Sequence, residues 1–485
     1  MKTLDLYLLL SSYILTVATA AVAELIGRRR PRFLLPAAVA IALLIAHTVV
    51  GAYLDRDQSY SAILRYLIDE RDLSSVAALL MGLAAGVVWF TRYLPTDDQP
   101  RATGWRRWEP ALLVASLGTV VLCGQAFIWK EVLGITRHAV SVRSPDFVIE
   151  KVADFDDEPL RVAAGDDGDV FVCYDYFKKH GAWGGTILRF HEDPATGKLQ
   201  RRTVVESPLL ARCYGLALRE GDIYVSRSGF YPKSTMGQVS YESTGAITRL
   251  KDLDGDGYFE YAHDVITGLP GVRAPDTMQQ NNGLAFASDG SLFVTNASAA
   301  DRTLDEHLWG GTILRYNADF SGPVVWARGF RNPWTIAFGP DNALFATDSD
   351  VDKNPGDEIN HVVQGGHYGH PFVIPNEADV EPIGFREPML VGERETVFLG
   401  LVYATSNALP EAYRNCMYVT DFRRNRVLRI RLARTGDTYR VEEVSPFASI
   451  PSPVDLAVTS AGDFYVISRR AQKMFRIRLK KAVQR

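Results

Sequence analysis

The sharpest chemical signature is the run Asp252-Leu-Asp254-Gly-Asp256-Gly257-Tyr-Phe-Glu260. Carboxylates at loop positions 1, 3 and 5, with glycine at 6, match the opening of an EF-hand-type calcium loop. Three hard oxygens then converge on one side, and glycine permits the sharp turn. The Tyr258 carbonyl and Glu260 add oxygen donors, but His263 stands where a complete EF-hand has glutamate. A calcium loop and a metal-free acidic turn both fit the spacing. A second acidic set comprises Asp348, Asp350, Asp352, Asp357 and Glu358. Such density of one sign calls for cations or hydrogen-bond donors, unless the loop is simply solvated. Arg331-Asn332-Pro333 precedes it: a guanidinium that can stabilise a developing oxyanion, or a capped turn. His367 and His370 follow in QGGHYGHP, where a packing turn is expected and a metal pair or a proton acceptor is the alternative.

These residues need elements to hold them, and the chain offers two kinds. Its 485 residues are 47% hydrophobic and 23% charged, which is a globular balance overall. A net charge of -4 provides no basic field for nucleic acid. Four cysteines without CxxC or CxxCH spacing give no support to zinc ribbons or covalent haem. Apolar runs crowd the first quarter, at residues 6–26, 33–54, 74–94 and 111–129. Each has about the 20 residues that cross a bilayer as a helix. Arg28, Arg29, Arg30 and Arg32 follow the first run; Arg101, Arg106 and Arg107 follow the third. The positive-inside rule places those loops in the cytoplasm, and both termini on the opposite side. The sequence thus predicts a four-helix membrane domain at 1–130, a linker at 131–145 and a second domain at 146–485. In a Gram-negative cell the second domain faces the periplasm. There Cys173 and Cys213 are open to pairing, or to remaining buried thiols.

The second domain is a repeat. WGGTILRF at 183–190 returns as WGGTILRY at 309–316. Weaker copies are GAITRL at 245–250, DEINHV at 357–362, NRVLRI at 425–430 and QKMFRI at 472–477. A pair of alternating strands precedes each copy, usually joined by a tight Asp/Gly/Asn turn. Six such units predict a six-bladed β-propeller, with residues 147–153 closing the last blade. The first strand of each blade should line a central channel. Its mouth would collect Arg212, Tyr214, residues 280–282, residues 331–333, Pro453 and Asp455, which makes it the default ligand site.

The stretch GFRNPWTIAFGPDNALFATDSDVDKNPGDEINHVVQGGHYGHP at 329–371 resembles the glucose/sorbosone dehydrogenase family, whose members are related to soluble pyrroloquinoline quinone (PQQ) sugar dehydrogenases. The resemblance extends over nearly all of 145–480 and implies a PQQ- and calcium-dependent oxidoreductase, which the apolar runs would anchor in the membrane. Its substrate would be a sugar, with a quinone or another respiratory acceptor taking the electrons. It implies that Arg331 and Asn332 contact the quinone, and that Asp357 orients the catalytic base. Carbonyls of Asp350 and Val351 would hold the calcium that bridges to PQQ. Arg423 falls where the family has a cofactor-contacting lysine, and Gln280 and Asn282 face the same cofactor. Two positions depart from the pattern. Gln280 stands where relatives place the histidine base, and an amide accepts no proton at neutral pH. Ser452-Pro453-Val454-Asp455 carries neither of the arginines that relatives offer to the PQQ carboxylates. Two other readings follow. Asn282-Gly-Leu-Ala-Phe286 resembles six-bladed calcium-dependent lactonases, with Asp348 or Asp455 as further metal ligands. A non-catalytic, calcium-stiffened propeller that binds glycans or a protein partner is the third.

Overall fold

The computed structural model describes residues 140–480, except 177–183, 211–212, 228–244, 272–280, 352–355, 375–380 and 395. The four expected membrane spans, Arg212, Gln280 and Asp352 lie outside the described residues. Among the described residues no helix is long and apolar enough to cross a membrane.

The described chain is all-β, with strands arranged in six antiparallel sheets. It is a six-bladed propeller. The inner strands are Pro159–Ala164, Cys213–Arg219, Asn281–Phe286, Pro333–Phe338, Phe398–Ala404 and Pro453–Val458. Each packs on the inner strand of the next blade, and the sixth packs on the first, so they enclose a channel. The third strands are the predicted repeat copies: Gly184–Glu192, Gly245–Lys251, Thr312–Tyr316, Glu358–Val362, Arg426–Thr435 and Lys473–Leu479. They fall where a period-2 pattern must sit to bury one face.

Aromatic side chains fill the wedges between blades. Tyr224 meets Phe286 and Phe320 between the second and third blades. Phe293 meets Trp326 and Phe338 between the third and fourth. Phe345 meets Tyr439 between the fourth and fifth. Edge-to-face pairs of this kind add about 0.5–1.5 kcal/mol beyond their area burial.

Closure comes from the start of the propeller. Phe147–Asp154 pairs with Lys473–Leu479 as the outer strand of the sixth blade, as the sequence predicts. Phe147 anchors this closure against Tyr413, Phe447 and Phe464. Ser141–Val142, within the segment expected to be linker, pairs with Thr438–Ser449 and makes the fifth blade five-stranded. Entry to the ring therefore clasps two neighbouring blades.

One detail recurs in every blade. Pairing of the inner strand with the second strand slips just after its first residue, at the channel mouth. Such bulges re-aim side chains and free an amide. In three blades a threonine on the second strand accepts that amide: Gly283 on Thr295 (2.8 Å), Thr335 on Thr347 (3.2 Å) and Gly400 on Thr420 (2.7 Å).

Candidate functional site

The bulges set a ring of third-position residues: Arg161, Gly215, Gly283, Thr335, Gly400 and Asp455. Arg161, Gly215, Gly283, Gly400 and Asp455 each lean on the next inner strand. A Cβ on Gly283 would sit 2.9 Å from the Ile336 nitrogen, and one on Gly215 would sit 2.1 Å from the Asn282 oxygen. Glycine at these positions lets the blades close up. All six inner strands line a cavity of about 290 Å³.

Arg161 crosses this cavity. Its guanidinium donates to the carbonyls of Tyr214 and Trp334 and to Thr335 Oγ1, the last at 2.5 Å. It stacks over the Trp334 ring at 4.6 Å and lies 3.8 Å from Asp455 Oδ2. One side chain thus ties the first blade to the second, fourth and sixth. Asp455 Oδ2 also accepts the Val162 amide at 3.0 Å. Burial pushes the Asp455 carboxyl up to about 6, although Arg161 and the amides pull it down. Burial lowers the Arg161 guanidinium, against the pull of Asp455. The sequence reading missed Arg161. Its signal was a lone arginine in the inner strand LRVAAG, at the position where three other blades have glycine.

Above the ring, the Arg331-Asn332 turn is fixed from both sides. Asp348 Oδ2 accepts the Arg331 amide (3.0 Å), and its Oδ1 accepts that of Asn332 (2.7 Å). The Arg331 carbonyl accepts the Ser298 amide from the third blade. Asn282 Nδ2 donates to Asn332 Oδ1 at 2.9 Å, while Asn282 Oδ1 has no partner. The Arg331 guanidinium emerges to pair with Asp301 Oδ1 at 3.0 Å.

The acidic loop packs beside this turn. Asp357 is fully buried; its two oxygens accept the amides of Asp350 (3.2 Å) and Phe398 (2.9 Å). It therefore fastens the loop to the fifth blade's inner strand. Asp350 Oδ1 accepts the Val351 amide, and its buried Oδ2 has no partner. Burial pushes Asp348 up to about 7 and Asp350 up to about 6. Burial also raises Asp357 and Glu358 well above the carboxylate range. A cation would relieve this crowd of buried acids.

Sequence reasoning separated some residues that the fold joins, and the reverse. Asp252, Asp254 and Glu260 have carboxylate oxygens within 4.8 Å of one another. This loop links the third and fourth strands of the second blade, at the end away from the mouth. It lies within that blade's own sheet. It reaches the first blade through Phe259, whose amide donates to the Val204 carbonyl. Asp256 instead accepts the Tyr258 amide and lies 3.8 Å from Arg202. Arg423 is exposed on the turn joining the second and third strands of the fifth blade. Cys173 and Cys213 are buried neighbours, with Cys173 Sγ 3.3 Å from the Cys213 carbonyl.

The QGGHYGHP segment is more than a turn. It runs up the outer edge of the third blade: Tyr368 donates to the Arg328 carbonyl and His370 to that of Gly329. A parallel bridge joins His367 to Arg328, and Tyr368 stacks on Phe330. His370 arrives beside Arg331 and is 8% exposed. The His370-Pro371 peptide is cis.

Comparisons with known proteins agree with this layout. The family model described as Glucose / Sorbosone dehydrogenase matches residues 220–475. Quinoprotein glucose dehydrogenase B of Acinetobacter calcoaceticus is 30% identical over 184 residues, 31% of this chain and 37% of that protein. HIPL2 protein of Arabidopsis thaliana is 34% identical over 67 residues, 13% of this chain and 10% of that one. The chain thus covers well under two thirds of these relatives' length. Among solved structures, the PQQ-bound aldose sugar dehydrogenase of Streptomyces coelicolor superposes with a TM-score of 0.52 at 20% identity, covering 70% of this chain and 99% of that one. The calcium structure of a Trichoderma reesei family AA12 carbohydrate-active enzyme gives 0.53 at 15%, covering 71% and 98%. At these identities the likeness is one of fold.

Proposed function

The chain belongs to the glucose/sorbosone dehydrogenase family, and on that premise we propose that it is a membrane-anchored, PQQ- and calcium-dependent dehydrogenase of aldoses or related sugars. One observation carries the reading. Arg331 and Asn332, locked by Asp348 and joined by Asn282 from the neighbouring blade, stand at the mouth of the channel. The residues fit a polar cofactor with a cation. Asn282 Oδ1 and Asp350 Oδ2 are buried acceptors without partners, and the acid-rich loop favours a divalent ion. Arg331 would hold the quinone, with Asn332 beside it. Carbonyls of Asp350 and Val351 would hold calcium, and Arg423 and Gln280 would border the cofactor. PQQ, when bound, supplies a two-electron acceptor for the sugar's C–H bond. The protein's part is to orient the sugar and to keep Arg331 directed at developing negative charge, by means of the Asp348 clamp. Asp357 holds the acidic loop against the fifth blade. In this reading the first 130 residues span the cytoplasmic membrane four times, the propeller lies outside the cytoplasm, and electrons pass to a respiratory quinone.

Purified, solubilised protein should bind PQQ saturably in the presence of calcium and reduce a dye with at least one of a panel of aldoses. Arg331→Ala should lower turnover by about 100-fold. Absence of saturable PQQ binding would remove the proposal. Unchanged turnover in Arg331→Ala would remove the role given to that residue.

A second reading rests on Asp455, which puts a carboxylate where cofactor carboxylates need cations, while Arg161 is already engaged by three other blades. A non-catalytic propeller that binds a glycan or a partner protein accommodates this better. Glycan binding without dye reduction would favour it. The lactonase reading asks Asp348 or Asp455 to ligate a metal beside Asn282, and both already accept backbone amides.

A further inference from the structure

A histidine 8% exposed, with no side-chain partner on either ring nitrogen and only the Ala300 backbone beside it, is an anomaly that burial alone does not excuse. A buried polar group without a partner costs about 1–3 kcal/mol. The His370 ring keeps at least one such nitrogen, since the Ala300 backbone can meet only one of the two. The edge segment that carries it is long and specific: four backbone hydrogen bonds along the third blade lift it to the level of Arg331. The groups facing the ring are Arg331, Asp301, Asp305 and the Ala300 backbone. Arg331 and Asp301 are paired with each other. Asp305 accepts the amides of Ala299 and His307. His370, Asp301 and Asp305 do not bring their ligand atoms within 4.8 Å of one another, so they are not grouped as a metal site among the described residues.

We propose that His370 is the proton acceptor of the sugar oxidation, standing in for the base that Gln280 cannot provide. The inference rests on the dehydrogenase reading above. In the step assigned to it, the anomeric O–H gives its proton to an imidazole nitrogen. The anomeric C–H leaves with its electron pair to an ortho-quinone acceptor, and a C=O forms. The aldose becomes a lactone; two electrons and one proton reach the acceptor, and the second proton rests on His370. Asp301 lies where it can stabilise the resulting imidazolium, while Arg331 stabilises charge on the acceptor side. Burial and Arg331 lower the imidazole to about 4, against the opposing effect of Asp301 and Asp305. The ring is therefore neutral and able to accept a proton throughout the neutral range. Activity should fall only as pH drops towards about 4, well below the limb of an ordinary histidine.

The test uses full-length protein loaded with PQQ and calcium, and compares wild type with His370→Gln. The expected result is a kcat reduced by about 100-fold or more, with PQQ affinity and melting temperature retained. If wild type turns over and His370→Gln stays within about threefold of it, His370 is not the base and the dehydrogenase reading stands. If wild type neither binds PQQ nor reduces dye with any aldose, the reading fails and the inference with it. A readout on wild type alone decides the matter should the variant not fold. Diethyl pyrocarbonate should modify His370 in cofactor-free protein, mapped by peptide mass. PQQ, calcium and D-glucose together should shield it. A His370 that is unreactive in both states would overturn the proposal.

Discussion

Replacing Arg161 by Met removes the cross-brace of the channel while keeping most of its apolar volume. Three acceptors lose their donor: the Tyr214 and Trp334 carbonyls and Thr335 Oγ1. Each buried acceptor left unsatisfied costs about 1–3 kcal/mol, though water can enter a cavity of this size and offset part of the loss. Asp455 loses its counter-charge, and breaking a buried pair from one side costs about 3–5 kcal/mol. Because these terms overlap, a net loss of about 4–8 kcal/mol is expected. With unfolding entropy near 2.1 cal/mol/K per residue over about 340 residues, that lowers the melting temperature by roughly 6–11 °C. The loss should depend on pH. Asp455 already sits at about 6 in the folded protein, and removing Arg161 raises it further. A carboxyl raised on folding gives stability that is present at low pH and lost as pH rises. The deficit of Arg161→Met should therefore widen between pH 5 and pH 8. Adding Asp455→Asn should recover several kcal/mol, because the buried charge goes with its partner. Differential scanning calorimetry at both pH values on the single and double variants checks this. A pH-independent loss below about 1 kcal/mol would refute the brace.

Three further outcomes follow from the fold. Gly283→Ala sets a Cβ 2.9 Å from the Ile336 nitrogen and 3.1 Å from the Trp334 oxygen, both backbone, so a loss of about 1–3 kcal/mol is expected in denaturant melts. Phe147→Ala should cost about 3–5 kcal/mol and expose the closing strand to rapid amide exchange; slow exchange at Phe147–Asp154 would contradict its role as the ring's clasp. If the Asp252 loop takes calcium, a concentration 100 times the dissociation constant should stabilise the propeller by about 2.7 kcal/mol, and Asp252→Asn with Glu260→Gln should abolish that gain without touching turnover.

The blades were legible because each buries one face of an alternating strand, a constraint that acts residue by residue. The third-strand copies and the closing strand fell where the pattern placed them. The Arg331-Asn332 turn was legible as a motif, but its clamp by Asp348 needed the fold, since the bonded pair spans two strands. Arg161 was missed, and His370 was read first as part of a packing turn, with a metal pair or a proton acceptor as the alternative. A lone arginine in LRVAAG marked Arg161 locally, but its role comes from the five other inner strands around it, which a local signal does not reveal. His370 depends on an excursion that leaves the fourth blade and edges the third, which a strand-by-strand reading cannot foresee. Asp252, Asp254 and Glu260 converge as their spacing suggested, whereas Asp256 turns to the Tyr258 amide, which acidic spacing alone could not foretell.

The clasp that joins Phe147–Asp154 to Lys473–Leu479 also sets a timetable. Its partners are about 320 residues apart, so closing that loop costs about 5 kcal/mol of chain entropy before any contact repays it. At synthesis rates of about 5–20 residues per second, the early strand waits well over ten seconds for its partner. Through that interval the sixth sheet does not exist, and the edges of the first and fifth blades stand open to other chains. Chaperone protection would matter most for this late-closing seam, and loss of the last strand should yield open, self-associating rings rather than a slightly less stable propeller.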